Sequence, residues 1–519
     1  MRGRAVRDTS CVADARVLTI CIDAMSLAFA QSHLERLPVL RSLLARGRLI
    51  HLESPGTHMS ACVWPTFATG QDAGEHGHYY PFQWDSATMS FRRTSKVQWS
   101  ERFAFEPFWH GLARSGVETT VLDAGFVLDD AHAPCRQVSN WSYQSTGDAS
   151  ASDPGLLREI RRRFGRRPIG MEVPVPKSLR QSRRIRDSLI ESQRRKADAV
   201  LWLMERDAWR FFLVGFYEVH RAGHNLLVVD GEFGSEADPD ALAQVYEGLD
   251  CELGRIVEAV NDGKTTVVLT SLHGMIPNNA QDQFLPPVLA RLNTQYLGEA
   301  GKAILPRKGS NLFAFLRKQV PYKLQYVLAH ALGEDIQDWV VNRAVTQGMD
   351  WARTPSFRFP SGGEGYIRLN IKGRERIGYF DPSSTELDAY RRWLKDRLLE
   401  IRVVGTGEAL VSDVLDAHDL FPGPRSDDLP DLIVKWAPAA PVDRIRSPAI
   451  GEITERLQTG RGGNHSGDSF VLVTGPAAES PVLAGVRHIR DLRRFIEAQF
   501  APVPRAVNAP PRVPIQEPA

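Results

Sequence analysis

Asp23, Ser60, His220, His224, His273 and His465 are the residues of this chain whose types and positions suggest chemistry. Each stands where a strand-like run gives way to a loop. The run Ala15-Arg-Val-Leu-Thr-Ile-Cys-Ile stops on Asp23, and Phe211 to Tyr217 stops just before Glu218-Val-His220-Arg-Ala-Gly-His224. A third run, Thr265 to Thr270, stops before Ser271-Leu-His273-Gly-Met275. Open α/β sheets bind ligands outside the carboxyl ends of their strands. One carboxylate and several imidazoles gathered along such an edge make a donor set of the zinc type.

The elements that must position these groups alternate between strand-like runs and helical periods. That pattern predicts an α/β fold: doubly wound, with a largely parallel central sheet, helices on both faces and an inserted cap region. Strands are expected at Arg48–Glu53, Val117–Leu122, Asp431–Trp436 and Phe470–Thr474, and helices at Leu34–Arg46, Ala61–Thr69, Phe108–Ser115, Ala241–Val260 and Ser384–Ile401. Residues 1–276 read as the first part of the core, 277–382 as a cap with a helical stretch at Leu312–Val345, and 383–500 as the second part, carrying His465. Residues 501–519 are rich in proline and poor in apolar side chains, so a disordered tail is expected. The basic stretch from Arg158 to Lys196 reads as a solvated helix face rather than a phosphate grip.

Composition narrows the classes. A hydrophobic content of 43% and a charged content of 24% are ordinary for a globular protein. Lys+Arg 64 against Asp+Glu 62 leaves a net +2, so no global field draws the chain to nucleic acid or a membrane. The cysteines Cys11, Cys21, Cys62, Cys135 and Cys251 are scattered without a C-x-x-C pair, which predicts reduced thiols in a cytoplasmic protein. The basic amino terminus lacks the apolar segment of a signal peptide.

The segment Ser60-Ala-Cys-Val-Trp-Pro-Thr-Phe-Ala-Thr69-Gly70, followed by His76-Gly77, resembles the nucleophile segment of the alkaline phosphatase superfamily, in its type I phosphodiesterase/nucleotide pyrophosphatase branch. The resemblance continues in order through Asp23, Gly223-His224, His273-Gly-Met275 and His465, and covers most of residues 15 to 500. It implies hydrolysis of a phosphodiester or phosphoanhydride, with Ser60 as nucleophile and a phosphoseryl intermediate. It also implies one or two divalent ions, zinc first and manganese as the alternative, and a small-molecule phospho-ester as substrate. A phosphomonoesterase or phosphotransferase on the same core is the first alternative. A non-catalytic metal or phospho-ligand binding protein is the second.

Two departures from the family's pattern bear on the metal. His220 stands where the family carries an Asp, and Leu272 stands where an Asp precedes the His-Gly pair. One site then reads as His220, His224 and His465, and the other as Asp23, Ser60 and His273, one carboxylate short. Glu218 is a candidate for the missing carboxylate or, alternatively, an orienting partner of an imidazole. Arg461, close before His465, is a candidate phosphate clamp. The stretch His76-Gly-His-Tyr-Tyr-Pro81 lacks the Asn that relatives use on a phosphoryl oxygen, so nucleotides are not implied. No C/S-x-P-x-R context surrounds Ser60 or Cys62, which argues against sulfatase chemistry.

Overall fold

The computed structural model describes residues 15–94, 106–125, 132–142, 149–169, 178–228, 238–298, 349–457 and 460–500, with isolated positions between 338 and 346. In chain order the strands begin with β1 (Arg16–Ile22), β2 (Arg48–Leu52), β3 (Phe82–Asp85), β4 (Ser90–Arg93), β5 (Thr119–Leu122), β6 (Arg136–Ser139) and β7 (Ser150–Ala151). Next come β8 (Phe211–Phe216), β9 (Thr265–Ser271), β10 (Gly274–Pro277), β11 (Ser356–Phe359), β12 (Gly365–Leu369) and β13 (Arg402–Val403). The last are β14 (Val411–Asp416), β15 (Leu432–Trp436), β16 (Arg444–Ser447), β17 (Gly451–Thr454), β18 (Gly463–Ser466) and β19 (Ser469–Thr474).

The central sheet has eight strands in the order β2-β19-β9-β1-β8-β5-β6-β7. β9, β1, β8, β5 and β6 run parallel, while β19 is antiparallel to both its neighbours. Every residue of β8 and β9 is buried, as parallel strands covered on both faces require. Helices pack around the sheet as expected. Helix Leu179–Arg206 starts on a capping box between Ser178 and Gln181, and helix Ala241–Ala259 contributes Val245, Leu249, Leu253 and Ile256 to the same apolar core as β1 and β8.

The sheet order explains the edge on which the chemistry gathers. β1 lies between β8 and β9, so Asp23, the helix after β8 and His273 emerge side by side. The start of β19 pairs with the ends of β9 and β2, through Phe470 with Ser271 and Ser469 with Leu52. Just before it, β18 pairs antiparallel with β10 and sets His465 opposite Met275. Ser60 follows β2 by eight residues and opens a short turn, Ser60–Cys62, that runs into helix Val63–Thr69.

A second, antiparallel sheet has the order β11-β12-β15-β14 and its own apolar core with helices Leu285–Leu297 and Thr385–Leu399. This corrects the expected return to the main core at residue 383. Leu432–Trp436 pairs with Gly365–Leu369 and Val411–Asp416, and the chain rejoins the large sheet only at Ser469. A short apolar run signals a buried strand but carries no information about its neighbour. The predicted helical stretch Leu312–Val345 falls almost entirely outside the described residues, and the tail 501–519 falls wholly outside them.

The arginines of the basic stretch pair with acids at the surface. Arg183 meets Asp238, Arg194 meets Glu191 and Asp198, and Arg195 meets Glu191. Lys196 behaves differently. It is fully buried, 3.2 Å from Asp123, and donates to the carbonyls of Ser142 and Gly215.

Candidate metal centre

Asp23 leaves β1 with its backbone N–H bonded to Phe216 O of β8. Its side chain is buried, and both carboxylate oxygens have partners. Trp64 Nε1 donates to Oδ1 at 2.9 Å, and His220 Nδ1 makes a very short contact with Oδ2. The Trp64 ring reaches this position because residue 125 is glycine. A Cβ there would stand 2.1 Å from Trp64 Nε1. Burial alone would raise the Asp23 carboxyl, but the charges of His273 and His220 and the bonds from His220 and Trp64 outweigh it and hold it below its usual value. Asp23 is therefore an anion at neutral pH.

His220 and His224 lie on helix Glu218–Leu226, where a loop was expected. Their i, i+4 spacing stacks them one turn apart on a single face, with ring centroids 4.7 Å apart. His465 comes within 4.8 Å of both rings, and His273 within 4.9 Å of His465. The Nε2 atom of His220 lies 2.8 Å from Nε2 of His224 and 2.8 Å from Nε2 of His465.

These contacts test whether a cation fits. Nδ1 of His224 lies 2.9 Å from Gly463 O, which only accepts, so that nitrogen carries the proton and Nε2 keeps its lone pair. The same logic applies to His220, whose Nδ1 faces an ionised carboxylate. Two lone pairs then point at one another at 2.8 Å, a repulsive arrangement unless a positive centre stands between them. A proton on the His224 or His465 side of these contacts is disfavoured. Burial pushes His224 and His465 well below the ordinary imidazole range, aided by neighbouring charges that include Arg461, and burial brings His273 down to about 4. Both ring nitrogens of His273 and Nδ1 of His465 are buried without a hydrogen-bond partner. Three imidazoles converging on one point through their Nε2 atoms, two of them held from behind by an oxygen acceptor, fit a transition-metal ion of zinc type.

The donors fall into two overlapping groups, His220 with His224 and His465, and Asp23 with His220 and His273. His220 belongs to both. Glu218, the candidate for a missing carboxylate, belongs to neither. Its Oε1 accepts from Ser192 Oγ at 2.7 Å and Ser142 Oγ at 3.3 Å, and its Oε2 accepts from Tyr217 N–H. Standing first on its helix, it is held by that buried polar layer, together with Lys196 and Asp123, rather than by the imidazoles. Leu272 packs in the apolar core, and its carbonyl accepts from Ser54 Oγ.

Ser60 is buried, and its hydroxyl donates to Glu364 Oε1 at 2.8 Å while its N–H donates to the same oxygen at 3.2 Å. Glu364 comes from the loop between β11 and β12 in the second sheet. That loop also spans the gap between Ser60 and the imidazoles. A Cβ on Gly362 would lie 3.7 Å from Ser60 Oγ and 4.0 Å from His465 Nδ1. Arg461 adjoins the site through its charge, which acts on His224, His465 and Tyr80. Burial raises the Tyr80 phenol, with Arg461 opposing and Glu364 adding.

Other polar residues around the site have structural partners. Nδ1 of His76 accepts the His78 N–H at 3.0 Å, and its Nε2 faces Thr66 Oγ1. Tyr79 Oη accepts the Trp84 N–H within an aromatic cluster, and buried Arg368 binds Glu375 and the carbonyls of Asp427 and Leu429. Sequence reasoning assigned no role to Trp64 and passed over Glu364. The signal for Glu364 was present in Gly362-Gly-Glu-Gly365, a run that lets backbone approach another segment closely and carries a single carboxylate.

No curated protein matches the chain by sequence. Among solved structures, phosphonoacetate hydrolase from Sinorhizobium meliloti 1021, in complex with phosphonoformate, is similar with a TM-score of 0.51 at 14% identity, covering 93% of this chain and 95% of that one. Murine ectonucleotide pyrophosphatase/phosphodiesterase 5, an inactive form in complex with AMP, aligns with a TM-score of 0.47 at 11% identity, covering 94% and 95%. The first of these shows a shared fold. The family model for type I phosphodiesterase / nucleotide pyrophosphatase matches residues 17–434. A match over that much of the chain assigns the protein to the type I phosphodiesterase / nucleotide pyrophosphatase family, and with it to the phosphoric ester hydrolases.

Proposed function

We propose that this enzyme cleaves a phosphodiester or phosphoanhydride of a small molecule by attack of the Ser60 hydroxyl on phosphorus, with a phosphoseryl intermediate that water then hydrolyses. The observation that carries this reading is the convergence of four imidazoles and an anionic Asp23 at the strand ends beside the segment bearing Ser60, in a chain of this family. Of the two donor groups, His220, His224 and His465 are the residues to hold a divalent ion, zinc by donor type and manganese as the alternative. Asp23 Oδ2 meets His220 Nδ1 and fixes that ring's orientation, and Asp23 acts on the ion through this imidazole. When bound, the ion supplies Lewis-acid charge against the phosphoryl oxygens.

The chain's own groups do the rest. Ser60 is fixed by its place at the head of the turn before helix Val63–Thr69, and by two bonds to one carboxylate oxygen. Arg461, on the approach to His465, places a cation beside the imidazoles and suits a phosphoryl oxygen or leaving group. Assay of the purified protein on bis(p-nitrophenyl) phosphate tests the proposal directly. Ser60→Ala is expected to lower turnover by about a thousandfold or more with metal content unchanged. Retention of the full rate by that variant would remove Ser60 as nucleophile.

A further inference from the structure

The partner of the Ser60 hydroxyl is an anion delivered by another layer of the molecule. Glu364 Oε1 receives both the Oγ–H and the N–H of Ser60, and Oε2 accepts the Gly362 N–H at 2.9 Å. The loop is fixed on its other side by Trp436, whose Nε1 donates to Gly363 O at 2.9 Å. Gly363 adopts φ 133, and a Cβ there would press within 3.1 Å of Ala280 and 3.2 Å of Asn464. The carboxylate is thus built into the site rather than swinging in solvent.

Its position conflicts with a highly charged ligand. A phosphoryl group attacked by Ser60 must approach Oγ closely, bringing its anionic oxygens beside the carboxylate. The Ser60 N–H, otherwise available to such an oxygen, is already taken. Cations stand near, because Arg461 and Arg358 act on the same neighbours, Tyr80 and Asp282, that Glu364 acts on. Arg358 is itself paired with Asp282 at 3.0 Å. The repulsion grows with each unit of charge on the ligand, so it weighs twice on a dianion what it weighs on a monoanion.

Building on the reading of Ser60 as nucleophile, we propose that Glu364 selects substrate by charge, admitting monoanionic phosphodiesters and disfavouring dianionic phosphomonoesters. Glu364→Gln is the direct probe, because the amide oxygen still accepts from Ser60 while the charge is gone. With holoenzyme, the ratio of kcat/KM for p-nitrophenyl phosphate to that for bis(p-nitrophenyl) phosphate is expected to rise about tenfold or more. Inorganic phosphate, titrated calorimetrically at mildly alkaline pH where it is a dianion, is expected to bind about tenfold more tightly or better. Glu364→Asp, which keeps the charge, should preserve the wild-type preference. Glu364→Ala, should the glutamine form fold poorly, is expected to shift the ratio in the same direction.

An unchanged ratio and unchanged phosphate affinity in a folded Glu364→Gln protein would overturn the proposal. So would an equal fall on both esters, the mark of a purely structural side chain. If the wild type turns over neither ester, the hydrolase reading fails by itself, and the phosphate titration still decides the role of Glu364.

Discussion

At the scale of single residues, the site divides into groups that face the convergence point and groups that hold them. His224 and His465 present Nε2 to it, so His224→Ala is expected to abolish stoichiometric metal binding in elemental analysis. Asp23 stands behind His220, and Asp23→Asn is expected to weaken zinc affinity by about 10–100-fold without abolishing it. Complete loss of metal in that variant would make Asp23 a direct ligand. Gly125→Ala should act through the same chain of contacts, because its methyl would occupy the space of Trp64 and loosen the bond to Asp23. These roles were unequally legible. The imidazoles and Asp23 stood out because strand ends in an α/β pattern are where chemistry collects. Trp64 and Glu364 did not, because each acquires its role from a partner brought near only by tertiary packing, 41 and 304 positions away.

At the scale of elements, β1, β8 and β9 were readable to within a residue or two, since buried parallel strands are continuous apolar runs ended by a change of character. The helix Glu218–Leu226 was not, because it follows β8 almost without a break and leaves no room for a recognisable turn signal. β15 was assigned to the wrong sheet, because a buried apolar run does not reveal which strand it pairs with, and its neighbours are β12 and β14. The second sheet is pinned by a buried ionic cluster. Asp431 receives two bonds from Arg374 and one from the Leu369 N–H, and Glu375 ties Arg368 to Trp84. Burial by itself would raise the Asp431 carboxyl, yet Arg374, His418 and Arg368 hold it far below the usual carboxylate range. Asp431→Asn removes the two-point counter-charge of Arg374, leaving it mainly Glu375, which Arg368 shares, and is expected to cost about 3–5 kcal/mol in chemical denaturation. The sign with pH follows from the depressed value. The wild-type advantage should be complete above about pH 4 and shrink on further acidification, as the carboxylate is protonated. A gap between wild type and variant that widened in acid would contradict the assignment.

At the scale of the whole molecule, a bound ion would tie the fold together, since the candidate ligands and Asp23 behind them come from the end of β1, the helix after β8, the loop after β9 and the strand before β19. A ligand that binds only the folded arrangement stabilises it by mass action. Chelation is therefore expected to abolish diester hydrolysis and lower the melting temperature together, and zinc should restore both in a concentration-dependent way. Restored stability without restored activity would separate the structural from the catalytic use of the ion. No helix among the described residues is long and apolar enough to cross a membrane.

The place of β19 has a consequence for how the fold is completed. It comes last in chain order among the described strands, yet it inserts between β2 and β9, both far earlier in the chain. Without it and the strand before it, β2 has no neighbour in the sheet, and the imidazole of His465 is missing from the cluster. A chain lacking this segment keeps the parallel strands but can neither close the sheet at β2 nor complete the group of His220, His224 and His465. Closure of the sheet at β2 and completion of the imidazole cluster therefore arrive together, with the one segment that carries β18 and β19.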